Sequence, residues 1–390
     1  MLLFVVRMGG ARVQRRLVAM WTCAALLAGS AVPASAAELV VGQVAPMEDP
    51  ASIGHQLRTG VEVYFEQVNR KGGVHGARLR LAARHRGTRA EEAVAKTREL
   101  LSEENPIALI GFMGTGPMEA LLNAKVLDEA AIALVGARTG ATVLHRPDRS
   151  RWLFHTRANY AGEVGKILRH ADTIGARRMA VYYEETAFGA EALALVEKAL
   201  PATSVALVEK VSYKPDEQLS EEAAQRVIRS GANAVLVAAS SEAAADFYQA
   251  YKAGGGPGLV VALSTADGAL MVRRIGAEAA RGLGIAHVTP DPASRTLPLS
   301  RELQALERAG AVRPGQLNQG FAEGYVAAKV LVEALRRAGP QPTRARVRQA
   351  LEGLSSFDVG GFTISYSATR RSGSDYVDIA ILSRDGKMLR

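Results

Sequence analysis

Cysteine is nearly absent from this chain: Cys23 is the only one in 390 residues. A single thiol excludes a disulfide framework and any zinc or iron–sulfur site built from several cysteines. Aromatic residues are also sparse, at 5%, and 22% charged residues stand beside 48% hydrophobic ones. That balance excludes a disordered chain and a polytopic membrane protein, which leaves a soluble globular class. At about 100–200 residues per domain the length favours two domains.

Acidic side chains are missing altogether from residues 1–37, which carry Arg7, Arg12, Arg15 and Arg16. An apolar run from Leu17 to Ala28 follows, then Gly29, Ser30, Pro33 and the small-residue stretch Ala34-Ser-Ala-Ala37. A basic segment, a short apolar segment and an Ala-x-Ala site together form the pattern of a cleaved secretory signal peptide. The run is well short of the roughly 20 residues of a spanning helix. Bulky Met20-Trp-Thr22 precedes Cys23 where a lipidation motif needs small residues, so a lipid anchor is not expected. Removing residues 1–37 takes the formal charge from +9 to +5 and discards the cysteine. The remaining basic residues are interleaved with acids, as in Arg89-Ala-Glu-Glu-Ala-Val-Ala-Lys-Thr-Arg-Glu99. This reads as a solvated helix face with i,i+4 pairs and not as a nucleic-acid patch.

From Glu38 onward, apolar runs alternate with helical periods. Strands are expected at 39–45, 79–83, 107–111 and 132–135, with helices at 56–69 and 117–127 between them. Thr88 and Glu91 form a capping-box pattern at the start of a further helix. After residue 155 the rhythm restarts, with helices at 161–174, 190–200, 220–229 and 243–253 and strands at 179–183, 205–211, 234–238 and 259–263. Helices at 299–308, 321–338 and 343–351 follow, then strands at 362–366 and 376–382. Near-continuous apolar strands between helices mean parallel sheets covered on both faces, in two successive α/β blocks. No long Pro/Ser tether separates them, so short crossovers should join the lobes.

Catalytic patterns are missing too. No P-loop, G-x-S-x-G or H-E-x-x-H occurs. Gly114-Thr-Gly116 begins like a dinucleotide fingerprint, but Glu119 occupies the third glycine position. The seven histidines have no metal-ligand spacing. No catalytic residue, metal or cofactor is therefore expected. Glu184-Glu185, at a strand end, is either a solvated loop or a source of acid/base chemistry.

Three segments carry a family resemblance. Val40-Val-Gly-Gln-Val-Ala-Pro46 with its polar loop, Val68-Asn-Arg-Lys-Gly-Gly-Val-His-Gly76, and the strand Ile107–Gly111 with its small-polar loop resemble the leucine/isoleucine/valine-binding family of ABC-transporter solute receptors. The glycines of the second segment would also serve as a helix C-cap and turn in any fold. The resemblance implies two doubly wound parallel-sheet lobes joined by three crossovers, the type I periplasmic binding protein architecture. Lobe I would comprise 38–156 plus 289–368, and lobe II 157–288 plus 369–390. A solute would be trapped between them as the hinge closes.

The resemblance also suggests a site. Thr115 and Thr139 fall at the family's two carboxylate-binding hydroxyl positions, although both also suit helix N-caps. Phe188 aligns with an aromatic that covers the ligand and equally suits a core position. Ile53 and Ala239 stand where branched-chain receptors carry an aromatic and a tyrosine. Thr265 occupies the position of the acid that pairs the ligand ammonium, with Asp267 two residues later. A buried, unpaired amine would cost several kcal/mol, so an acid lacking the amine is an alternative ligand. Arg138, Tyr183 and Glu184 lie at strand ends facing the expected cleft.

The function this implies is a non-enzymatic, monomeric periplasmic receptor. It would deliver a small amphipathic carboxylate or branched-chain-type amino acid to an inner-membrane ABC permease, with no nucleic-acid partner. A sensor of the same fold feeding a signalling partner, and a hydrolase using Glu184-Glu185, are the alternatives.

Overall fold

The computed structural model describes residues 37–390 apart from Thr88, Ser150, Asp216, Gln218, Leu219 and Arg390. The signal-peptide reading, and the Thr88 half of the capping box, lie outside the described residues. The helix that follows starts at Ala90 with Arg89 at its N-cap and no side-chain cap; instead Glu92 accepts the Gly87 N–H at 2.6 Å.

The first sheet is parallel throughout. It contains β1 (Glu38–Ala45), β2 (Arg78–His85), β3 (Ala108–Ile110), β4 (Leu134–Val135) and β5 (Leu153–Phe154) in the order β2-β1-β3-β4-β5. Helices α1 (Ile53–Arg70), α2 (Ala90–Glu104), α3 (Thr115–Asn123) and α4 (Val126–Glu129) make its crossovers. The single helix expected at 117–127 is thus two, broken at Lys125 in the left-handed region.

Helix α5 (Tyr160–Thr173) leads to the second sheet, with β6 (Arg178–Glu184), β7 (Ala206–Tyr213), β8 (Ala234–Ala238), β9 (Leu259–Ala262) and β10 (Leu283–His287). Its helices are α6 (Ala187–Ala199), α7 (Ser220–Arg229), α8 (Ser241–Ala253), α9 (Gly268–Ile275) and the short α10 (Ala277–Ala280). The order β7-β6-β8-β9-β10 repeats that of the first sheet.

The chain then returns to the first sheet with α11 (Pro298–Arg308), α12 (Gln319–Ala338) and α13 (Arg344–Glu352). These pack into one core with Val41, Ala108, Val135 and Phe154. The strand expected at 362–366 shrinks to β12 (Thr363–Ile364), paired antiparallel with β11 (Phe357–Asp358). Finally β13 (Asp378–Leu382) and β14 (Met388–Leu389) close the second sheet as antiparallel edge strands. The protein is therefore an α/β chain with two doubly wound, mainly parallel sheets joined by three crossovers. The first and third crossovers pair: the His155 N–H donates to the Arg371 carbonyl at 2.9 Å and the Gly373 N–H to the His155 carbonyl at 2.8 Å.

Local chemistry sets these elements. Ser52, Asn159, Ser240, Asp267, Asn318 and Thr343 each cap a helix by accepting a first-turn N–H, an arrangement worth about 1 kcal/mol apiece. Helices α1 and α12 pack with their backbones in direct contact because Gly60 and Gly324 face each other's partner. A Cβ on Gly324 would lie 2.1 Å from the Leu57 carbonyl, and one on Gly60 would lie 2.2 Å from that of Phe321.

Candidate functional site

In a parallel sheet of this order, the strands on either side of the switch point send their following loops in opposite directions, which leaves a crevice at their carboxyl ends. Both sheets have that point between equivalent strands, β1 and β3 in one, β6 and β8 in the other. The segments after these four strands line a single cavity of about 620 Å³. From the first sheet come Pro46, Asp49, Ile53 and the segment Met113–Pro117; from the second come Glu184, Thr186–Phe188 and Ala239–Glu242.

Thr115 is built into this cavity by its backbone. Gly114, at φ 92°, is the N-cap of α3 and adopts a conformation costly for any residue with a Cβ, which turns the chain so that Thr115 begins the helix. The Thr115 and Gly116 N–H groups have no acceptor within the helix, and the first turn carries no acid of its own. Thr115 Oγ1 lies 2.9 Å from Thr139 Oγ1. Thr139 sits in the loop after β4, where its hydroxyl accepts the Ala141 N–H at 3.3 Å. The Thr115 hydroxyl and two free N–H groups, with a helix dipole behind them, suit an anionic oxygen. Thr139 does not itself line the cavity; it orients the Thr115 hydroxyl from behind.

Arg138 also lines the cavity, but its guanidinium is engaged. Nε donates to Glu323 Oε1 at 3.0 Å and Nη2 to the Ser264 carbonyl at 2.6 Å, tying the loop after β4 in the first sheet to the loop after β9 in the second. Glu323, on α12, also accepts from Arg157 at 3.2 Å, and Arg157 reaches Glu163 at 2.9 Å and the Ser264 hydroxyl. The Ser264 N–H and hydroxyl both donate to Glu163, at 2.9 and 2.8 Å. Burial alone would lower the Arg157 guanidinium, but Glu323 and Glu163 hold it above its ordinary value. The result is a buried ionic network that meets the cavity at Arg138. A second tie between the sheets lies beside it, where the Thr142 N–H and hydroxyl both donate to Glu191 on α6, at 2.7 and 2.5 Å.

Phe188 both lines the cavity and packs, its ring 5.1 Å from that of Tyr160 and tilted by 54°. Register places Glu184: it stands opposite Tyr213, whose hydroxyl donates to Glu184 Oε2 at 2.9 Å. Glu185 belongs to a different environment, exposed and accepting from the Ser212 hydroxyl. Consecutive residues at a strand end point to opposite faces, so the two acids do not converge as an acid/base pair.

Two expected contacts are placed elsewhere. Asp267 is buried outside the cavity lining, where its carboxylate caps α9 through the Leu270 N–H at 2.9 Å; Thr265 lines the cavity in its stead. The Tyr183 ring packs against the apolar cluster around Met179 and Val181, away from the lining. Sequence reasoning missed Tyr160, Met113 and the Ser240–Glu242 turn. Their signal is positional: all but Tyr160 follow a strand that abuts the switch point.

Two facing α/β lobes with a cavity at their switch points define a ligand-binding architecture. The sequence matches the periplasmic binding protein family over residues 38–387, and the chain belongs to that family. Among solved structures it is similar to a substrate-binding periplasmic protein from Ralstonia solanacearum, at 35% identity and a TM-score of 0.83, covering 90% of this chain and 99% of that one. An extracellular ligand-binding receptor from Verminephrobacter eiseniae has 28% identity, a TM-score of 0.82 and coverage of 91% and 100%. The Leu/Ile/Val-binding protein homolog 7 of Brucella suis is 28% identical over 213 residues, 51% of this chain and 51% of that protein. The chain thus aligns with about half the length of the curated relatives it matches.

Proposed function

We propose that this protein is a periplasmic solute receptor of an ABC importer, without catalytic activity, that closes two lobes around a small amphipathic carboxylate or branched-chain-type amino acid. The observation that carries this reading is the Thr115 hydroxyl at the start of α3, bonded to Thr139 from behind and lining a cavity of about 620 Å³ that the second sheet shares. The ligand carboxylate would accept from Thr115 and the first N–H groups of α3. Phe188 would cover the body of the ligand, while Arg138 and Glu184 shape the walls. The proposed lobes are 38–156 plus 289–368 and 157–288 plus 369–390, hinged at the paired segments around His155 and Ser372. A cleaved export signal at residues 1–37, a monomeric state and an inner-membrane permease partner complete the proposal.

The family assignment and the name of the Brucella relative support the solute class. The separation of Glu184 from Glu185 speaks against hydrolysis. The test is native mass spectrometry of protein purified from its own source, followed by thermal melting with amino acids and small organic acids. A bound solute at 100 times its Kd adds about 2.7 kcal/mol of stability. The reading fails if no co-purified solute appears and no compound raises the melting temperature.

A further inference from the structure

The cavity is large for the solute that the family resemblance suggests. At roughly 30 Å³ per non-hydrogen atom, a leucine zwitterion would fill less than half of the space. The lining includes the apolar side chains of Ile53, Met113, Pro117, Phe188, Ala239 and Leu270. At the end of β8 the lining is only a methyl group, since Ala239 is 1% exposed and nothing longer projects from its position. The hydroxyls of the lining come from Thr115 on one side and from Thr186, Ser240, Ser241 and Thr265 on the other, and its carboxylates belong to Asp49, Glu184 and Glu242. Asp49 and Glu242 are exposed at the rim, and Glu184 is held by the Tyr213 hydroxyl. An anionic group seated at Thr115 leaves the rest of the ligand to the remaining lining, and a second anionic group near the rim would meet Asp49 and Glu242. Asp267, the acid expected to meet an α-amine, is buried as the cap of α9.

We infer that the ligand is a monocarboxylate whose apolar body, alkyl or aryl, is larger than a branched-chain side chain and lies against Phe188, Ala239 and Leu270. This rests on the receptor reading above and names the solute class within it. Recognition divides into an anchor at Thr115 and an apolar slot beyond it. Affinity should then rise with chain length until the slot is full.

Titration calorimetry on the purified receptor tests this with straight-chain monocarboxylates from butanoate to dodecanoate, phenylalkanoates, suberate, leucine and 4-methylpentanoate. Affinity should tighten by roughly fourfold per added methylene through at least octanoate, since each buried methylene contributes about 0.8 kcal/mol. Phenylalkanoates of equal size should follow the same line, and suberate should bind at least about tenfold more weakly than octanoate. Ala239→Phe should move the optimum to shorter acids; Thr115→Val should weaken every length by a similar factor. An optimum at butanoate to hexanoate, or leucine binding more tightly than octanoate, overturns the inference and leaves the receptor reading standing. Binding by none of these compounds overturns the inference and counts against the receptor reading. An unchanged chain-length profile in Ala239→Phe, with melting showing that the variant folds, also overturns it.

Discussion

Replacing Glu323 by Gln probes the ionic network that meets the cavity at Arg138. Glu323 is 5% exposed and gives one carboxylate oxygen to Arg138 and the other to Arg157, at 3.0 and 3.2 Å. A Gln side chain of the same shape retains one acceptor and turns an amide N–H₂ toward the second guanidinium. Arg138 is then left without a carboxylate partner, while Arg157 keeps Glu163. Breaking a buried ion pair by removing one partner costs about 3–5 kcal/mol. The contacts that survive, from Arg138 to the Ser264 carbonyl and from Arg157 to Glu163, put this case near the lower end, at about 3 kcal/mol. With an unfolding entropy of about 2.1 cal/mol/K per residue, a cooperative unit of about 350 residues loses roughly 1.4 °C of Tm per kcal/mol, so the expected drop is about 4 °C. Scanning calorimetry at pH 7 measures it. Glu323→Gln combined with Arg138→Met removes the stranded cation and should recover about half of the loss. A single variant melting within about 1 °C of the parent, or a double variant no more stable than the single, refutes the reasoning.

Other consequences can be checked as directly. Thr115→Val should weaken carboxylate binding about tenfold, the worth of one hydrogen bond to a charged group, as calorimetric titration against a bound acid reads; the lost bond to buried Thr139 should also cost the unliganded protein about 1–3 kcal/mol, which melting reads separately. Gly324→Ala places a methyl group 2.1 Å from the Leu57 carbonyl, so α1 and α12 must separate, and chemical denaturation should show about 1–3 kcal/mol of lost stability. His145 and His155 stack in the core at 3.6 Å, beside the first crossover, and burial lowers both, His155 to about 4. The unfolded chain therefore takes up protons first as pH falls. Stability is retained above about pH 6.5 and declines from there toward pH 4, by about 3 kcal/mol from His155 alone. Urea midpoints across that window should fall in the parent and fall less in His155→Gln; a flat parent profile would contradict the assignment.

What the sequence reveals depends on how local the responsible physics is. Most of the parallel strands were legible because a strand buried on both faces is apolar without interruption, as in Ala234-Val-Leu-Val-Ala238, whereas the two-residue β5 was not expected. Strand β10 was not, because Leu283-Gly-Ile-Ala-His287 mixes a glycine and a histidine into its run and becomes a strand by pairing with β9 and β13. The same distinction governs the site. The place of Thr115 at a helix start could be read from the loop that carries it, since a strand, a glycine in the left-handed region and a helix start lie within a few residues of one another. Asp267 was misplaced because Asp followed three residues later by a helical N–H is also an N-cap, and a cap is satisfied locally, before any ligand contributes. The network of Arg138, Arg157, Glu163, Ser264 and Glu323 has no local signature at all, since its members meet only when both sheets are assembled. Yet it decides what Arg138 can do. A strand-end arginine facing a cleft would ordinarily be assigned to the ligand carboxylate. Here Glu323 and the Ser264 carbonyl hold its Nε and Nη2, so the proposed anion seat lies at Thr115 and the first turn of α3, and the arginine ties the two sheets together.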